Sequence, residues 1–240
     1  MVLCYSEMLG EFMVGVSGRF RRITESNFSP LTHLEARGVG RSIDDQVLLS
    51  PTDLTVVPGQ CLAVLGQNGA GKTTLLRILA GKQRPSEGEV TLGGRVIDER
   101  DAFIRRNIAS LIGVPAFYPD LTVGEQLALI NATWGVPTGD SQAIVTASME
   151  TFGITSLRER FVHELSSGQT QMFYLAATFI RPCRVLILDE PEQRLDPSRK
   201  DALVQAVLEA KNTGTAIIFT SHDALLVDRL ADATVDLGAA

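Results

Sequence analysis

The stretch Gly66-Gln67-Asn68-Gly69-Ala70-Gly71-Lys72-Thr73, continued by Thr74, decides the fold. An apolar run, CLAVL at 61–65, leads into it, and KTTLLRILA at 72–80 leaves it with the spacing of a helix stopped by Gly81. A strand, a glycine-rich turn and a helix in that order gather backbone N–H groups and the positive end of a helix around one point. Gly66, Gly69 and Gly71 let the backbone wrap closely about an anion, Lys72 brings a mobile cation to the β- and γ-phosphates, and Thr73 brings a hydroxyl for Mg²⁺. The plainer reading is a glycine-rich turn that happens to contain Lys-Thr. The flanking strand and helix favour phosphate.

Working outward, RVLILDEP at 184–191 reads as a short buried strand ending in two acids. At the carboxyl end of a parallel strand beside a phosphate loop, Asp189 can reach the Mg²⁺ shell, and Glu190 can polarise an attacking water. Acids also end strands simply because strands end at solvent, and only the loop tips the balance. HELSSGQTQ at 163–171 opens a helix expected to be amphipathic through Leu175, Ala176, Phe179 and Ile180. Its first turn, with Ser166 as cap, suits an anion or merely a well-capped start.

The remaining elements follow from punctuation. Strand-like pieces at 32–39, 47–57 and 61–65 point to antiparallel pairing, and 88–98 reads as a hairpin about Gly93-Gly94. Thr122 and Glu125 have capping-box spacing, a second helix is expected over 141–152, and 115–165 should be mainly helical. From 166 the order is helix, strand, helix, strand, helix, strand, with apolar runs at 185–188 and 215–219. The expected fold class is α/β: a mostly parallel core sheet with helices, an antiparallel β subdomain and an inserted helical subdomain at about 115–168. Residues 1–30 form an expected poorly ordered extension and 31–240 the domain proper.

With 240 residues, 45% hydrophobic and 21% charged, the composition is that of a globular chain rather than a disordered or collagen-like one. A net charge of −6 gives no global attraction for phosphate backbones, so no nucleic-acid partner is expected; Arg19, Arg21 and Arg22 read as the solvated end of a tail. Cys4, Cys61 and Cys183 are odd in number and widely spaced, which suggests reduced thiols rather than a metal site. No apolar run reaches eighteen residues and the start lacks a secretory pattern, so membrane association is expected through a partner.

The series GQNGAGKT, LSSGQ, LILDEP, LD and SH resembles the nucleotide-binding subunit of ATP-binding-cassette (ABC) transporters over about residues 32–237. The resemblance implies a P-loop ATPase using ATP and Mg²⁺. Two subunits, identical or related, would face head to tail with each nucleotide between the P-loop of one and the LSSGQ helix of the other. Ser166, Gly168 and Gln169 would then meet the γ-phosphate across the interface, Asp196 would match the aspartate coupling the two sites, and His222 the histidine sensing the γ-phosphate. His33 and His163 are expected to be structural or solvated. LIGVPAFYPDLTVGEQL at 111–127 resembles the segment contacting membrane-spanning permease subunits, particularly in exporters of the ABC-2 and bacitracin-resistance type. Phe117, Tyr118 and Leu121 could equally well simply pack the subdomain. The implied place is the cytoplasmic, inner face of the cell membrane.

Three departures accompany the resemblance. The family's glutamine, or glutamate in some exporters, falls at Gly113, the adenine-stacking aromatic at Ile43, and Gln193-Arg194 make DEPEQRLD an unusual variant. Weaker nucleotide affinity, looser base selectivity and slow hydrolysis are the expected results. The rival readings are a non-transport ABC ATPase and a weakly hydrolysing nucleotide-binding regulator.

Overall fold

A computed structural model describes residues 33–44 and 46–238. The expected extension at 1–30, including Cys4, Arg19, Arg21 and Arg22, lies outside them. In chain order the elements are β1 (Leu34–Ile43), β2 (Gln46–Val56), β3 (Cys61–Leu65), α1 (Lys72–Leu79), β4 (Glu87–Leu92), β5 (Arg95–Val96), α2 (Ala102–Asn107), β6 (Ile108–Leu111), α3 (Val123–Thr133), α4 (Thr138–Thr151), α5 (Ser167–Phe179), β7 (Val185–Asp189), α6 (Pro197–Asn212), β8 (Ala216–Thr220), α7 (Ala224–Leu230) and β9 (Ala233–Asp236). They fall into two compact units.

The first unit takes the described residues up to Gly113, then Cys183–Pro191, then the chain from Gly214. It holds an antiparallel sheet of order β2-β1-β4-β5 and a parallel sheet of order β6-β7-β8-β3-β9. β7 and β8 are apolar on both faces because they are interior strands of the parallel sheet, so nearly all their residues are buried. One apolar cluster joins Leu34, Val39 and Leu92 of the antiparallel sheet to Leu75 and Leu79 of α1 and to Ile187 and Ile218 of the parallel sheet. The expected hairpin is present: Leu92 pairs with Arg95 across Gly93 and Gly94, both at positive φ, as the tightest hairpin turns require.

The second unit comprises Val114–Pro182 and Glu192–Thr213 and is helical. The Thr122–Glu125 capping box opens α3 as the spacing predicts, and α4 begins at Thr138, three residues before the expected start. α5 departs from expectation. Met172, Phe173, Tyr174, Leu175 and Ala176 are buried in succession, so it is enclosed on most sides rather than amphipathic. Phe152 of the α4 C-cap meets Phe179 edge to face at 5.2 Å. Two further elements, α2 and β6, carry no expectation from sequence. IASL at 108–111 is only four residues long and becomes a strand through pairing with β7.

Candidate functional site

The glycine-rich loop leaves β3 and enters α1 with Gly66, Gly69 and Gly71 at φ 143°, 87° and 96°. Gly71 is required twice over. Its φ excludes ordinary side chains, and a Cβ there would fall 2.5 Å from the Leu48 carbonyl oxygen of β2. The loop closes on itself through the Ala70 N–H, which donates to the Gln67 carbonyl at 3.2 Å. Gln67, Asn68 and Gly69 are exposed at its tip, while Thr74 is half-buried on the first turn of α1. Lys72 is only 8% exposed, and its ammonium donates to the carbonyls of Gly66 at 2.6 Å and Gln67 at 3.1 Å. A buried cation is thereby held at the mouth of the loop, within a side chain's swing of any anion seated there.

The carboxyl ends of β7 and β8 bring the acids to this loop. Thr73 Oγ1 donates to Asp189 Oδ2 at 2.8 Å, and Thr220 Oγ1 donates to Asp189 Oδ1 at 2.7 Å. Asp189 and Thr220 are register partners in the parallel sheet. Glu190 follows with φ 47°, a left-handed conformation rare for a residue other than glycine. Its N–H is shared between the Thr220 carbonyl oxygen at 3.2 Å and Thr220 Oγ1 at 3.0 Å. The turn aims its carboxylate at His222, whose Nε2 lies 3.1 Å from Oε1. Loop, cation, two acids and histidine, all singled out from sequence, are thus brought into one unit. Thr220 is the functional neighbour that sequence reasoning misses; its signal is a polar residue closing the apolar run TAIIF, directly before Ser221-His222.

The donor set fits Mg²⁺. Asp189 and Thr73 present hard oxygens 2.8 Å apart beside a phosphate-shaped loop. Among the described residues no three His, Cys, Asp or Glu side chains gather into a metal cage. Such a site suits an ion that keeps waters and phosphate oxygens and takes one or two protein ligands.

In the helical unit the remaining expected residues occupy capped turns. Ser166 is the N-cap of α5: its Oγ accepts from the Gln169 N–H at 3.4 Å, and its own N–H donates to Gln169 Oε1 at 2.9 Å. Gly168 is buried, and a Cβ there would fall 2.4 Å from Arg199 Nη1 and 2.9 Å from the Arg194 carbonyl oxygen. Asp196 caps α6, accepting from the Ser198 hydroxyl at 2.7 Å and the Arg199 N–H at 3.0 Å, and these donors hold its carboxyl below the usual aspartate range. Burial pushes the Tyr174 phenol of α5 upward, against the nearby Arg194 charge. His163 stacks on Phe161, and His33 lies 3.7 Å from Glu35.

The departures keep their places. Ile43 ends β1 and is 47% exposed, and Gly113 stands at φ 69° with open space where a side chain would project. Val114 and Tyr118 expose most of their surface, while the buried Gln126 amide holds the backbone of Tyr118 at both N–H and carbonyl. No helix among the described residues is long and apolar enough to cross a membrane.

Known proteins are similar to this chain in fold and sequence. A solved structure described as an ATP-binding subunit of an ABC transporter superposes with a TM-score of 0.80 at 26% identity, over 86% of each chain. The hemin import ATP-binding protein of Bradyrhizobium diazoefficiens is 36% identical over 85% of this chain and 79% of its own length. A Nod factor export ATP-binding protein of Rhizobium etli is 29% identical over 88% of this chain and 66% of its own length, and the Fe(3+) ions import ATP-binding protein of Escherichia coli strain K12 is 29% identical over 84% and 56%. The chain therefore spans from about half to two thirds of the length of some relatives and more of others. The ABC transporter family matches residues 49–193, more than half of the 240, so the chain belongs to that family as an ATP-binding domain.

Proposed function

We propose that the chain is the ATP-hydrolysing subunit of an ABC transporter, working as one of two cassettes beneath membrane-spanning permease subunits on the cytoplasmic face of the cell membrane. The observation that carries this reading is the run of contacts from Thr73 through Asp189 to Thr220, Glu190 and His222, at the strand ends beside Lys72. Phosphoryl transfer to water asks mainly for positioning and charge stabilisation. The backbone N–H groups of residues 66–73 and the Lys72 ammonium would receive the β- and γ-phosphates, and Asp189 and Thr73 would hold Mg²⁺. Once bound, Mg²⁺ neutralises charge on the phosphate oxygens. Glu190 would take a proton from the attacking water, with His222 beside it fixing the carboxylate and sensing the γ-phosphate.

The second half of each site is proposed to come from the partner cassette. Ser166, Gly168 and Gln169 lie on the first turn of α5, whose positive dipole end suits the γ-phosphate held by the other chain, and Asp196 would couple the two sites. Closure on two ATP would drive the permease and hydrolysis would reopen it. The finer part of the proposal is the export direction of the ABC-2 and bacitracin-resistance type, supported by the resemblance at 111–127. The relatives named for import are 29% and 36% identical to this chain and the one named for export 29%, so likeness to them does not by itself favour export.

Glu190→Gln tests the reading. The variant should bind ATP as the parent does while phosphate release falls on the order of a hundredfold or more, the scale expected when a base and its electrostatic support are lost. Release at the parental rate would remove Glu190 from the base role, and parental release no greater than that of Lys72→Ala would favour a nucleotide-binding regulator.

A further inference from the structure

Thr220 is a hydroxyl at 0% exposure, at the end of a strand whose other residues, Ala216 to Phe219, are all apolar. Its burial calls for partners, and it has two whose chemistry fixes the direction of every bond. An ionised carboxylate only accepts and a backbone N–H only donates, so the Thr220 O–H points to Asp189 Oδ1 and its lone pair receives the Glu190 N–H. Asp189 is then gripped on both oxygens by hydroxyls, Thr73 from the phosphate loop and Thr220 from the neighbouring strand. The Glu190 N–H is shared between two oxygens of one residue, which holds the left-handed turn that sends the Glu190 side chain to His222.

We propose that Thr220 is a positioning residue: its hydroxyl sets the orientation of the Asp189 carboxylate that receives Mg²⁺ and holds the backbone of Glu190 in its left-handed turn. The inference rests on the reading of the site as a Mg²⁺–nucleotide centre. The hydroxyl of Thr220 contacts the Asp189 carboxylate and the Glu190 N–H. It acts through the two acids, as groups hydrogen-bonded to metal ligands do, where loss commonly costs 10–100-fold in metal affinity or activity.

Two substitutions separate positioning from packing. Thr220→Val keeps the volume and removes the hydroxyl, while Thr220→Ser keeps the hydroxyl and removes a methyl. The probe is Mn²⁺ in the presence of ADP, followed by electron paramagnetic resonance, since Mn²⁺ accepts the same oxygen donors. Thr220→Val should weaken Mn²⁺ binding about tenfold, raise the KM for Mg²⁺–ATP in step and lower kcat, and Thr220→Ser should stay within about threefold of the parent on each measure. Packing predicts the reverse order, because the serine leaves a cavity. Parental Mn²⁺ binding in Thr220→Val, or weaker binding in Thr220→Ser than in Thr220→Val, overturns the proposal. Should Thr220→Val fail to fold, Thr220→Ser against Thr220→Ala makes the same comparison with a hydroxyl as the only difference.

Amide exchange at Glu190 without nucleotide gives a second readout. It should be slow in the parent and in Thr220→Ser and at least tenfold faster in Thr220→Val; parental exchange in the valine variant overturns the proposal. A parent that binds neither Mn²⁺–ADP nor ATP would sink the proposed function instead, and Glu190 exchange would still decide whether the hydroxyl holds the turn.

Discussion

The acids and hydroxyls at the ends of β7 and β8 and the cap residues of the helical unit find their partners in opposite ways. At the ends of β7 and β8 the partners come from far along the chain: Thr73 and Asp189 are 116 residues apart, and Asp189 and Thr220 are 31. In the helical unit Ser166 with Gln169, Thr122 with Glu125 and Asp196 with Arg199 each close within three residues. A site built from distant residues exists only when the sheet has formed, so it is fixed by the core beneath it. A capped turn needs only its own helix and can keep its geometry while its surroundings change. The first kind suits a rigid seat for phosphates and the second a surface offered to another molecule.

The largest effect that would sharpen this contrast is in the phosphate loop. Gly71→Ala combines an unfavourable φ with a methyl 2.5 Å from a strand carbonyl, so unfolding in denaturant should show a loss of about 2–5 kcal/mol. Gly69→Ala has open space around the methyl and pays only for φ, about 1–2 kcal/mol. Equal losses at the two positions would mean that the loop is not braced against β2 and that the seat is as local as the capped turns.

A smaller effect separates capping from chemistry inside the helical unit. Thr122 and Ser166 have the same capping-box geometry, so alanine at either should cost about 1 kcal/mol in thermal or denaturant unfolding. If the α5 turn also faces a partner's triphosphate, Ser166→Ala should lower steady-state phosphate release severalfold more than Thr122→Ala does. Equal turnover in the two variants would leave Ser166 as a cap and nothing else.

These local closures explain what the sequence makes legible. Thr122 and Glu125 can be read as a cap because the motif and its partner lie in one window, and the phosphate loop because strand, glycines and helix are contiguous. The Asp189–Glu190 pair can be read only beside that loop, since a strand-ending acid is otherwise ordinary. Thr220 goes unread because both of its partners arrive by parallel pairing of β7 with β8, which no spacing announces. β6 goes unread for the same reason. The enclosure of α5 also arises outside its own sequence: the period of Leu175, Ala176, Phe179 and Ile180 describes one face, and neighbouring elements bury Met172 and Phe173 as well.

The smallest effect asks whether charge adds anything to a local cap. Asp196 accepts from Ser198 and Arg199, and its carboxyl lies below the usual range chiefly because of the Ser198 hydroxyl. A carboxyl depressed in the folded state stabilises fully above its unfolded value, near pH 4, and loses that contribution as pH falls through the lower folded value. Asn and Asp cap helices about equally well, so Asp196→Asn isolates the charge. The parent should melt slightly above the variant at pH 6, and the gap should narrow by pH 3. Salt should shrink it as well, because the Arg199 guanidinium 3.5 Å away shares an exposed setting with the carboxylate. A gap unchanged across that range would mean that the cap works through hydrogen bonds alone; a gap that closes gives α6 an electrostatic start.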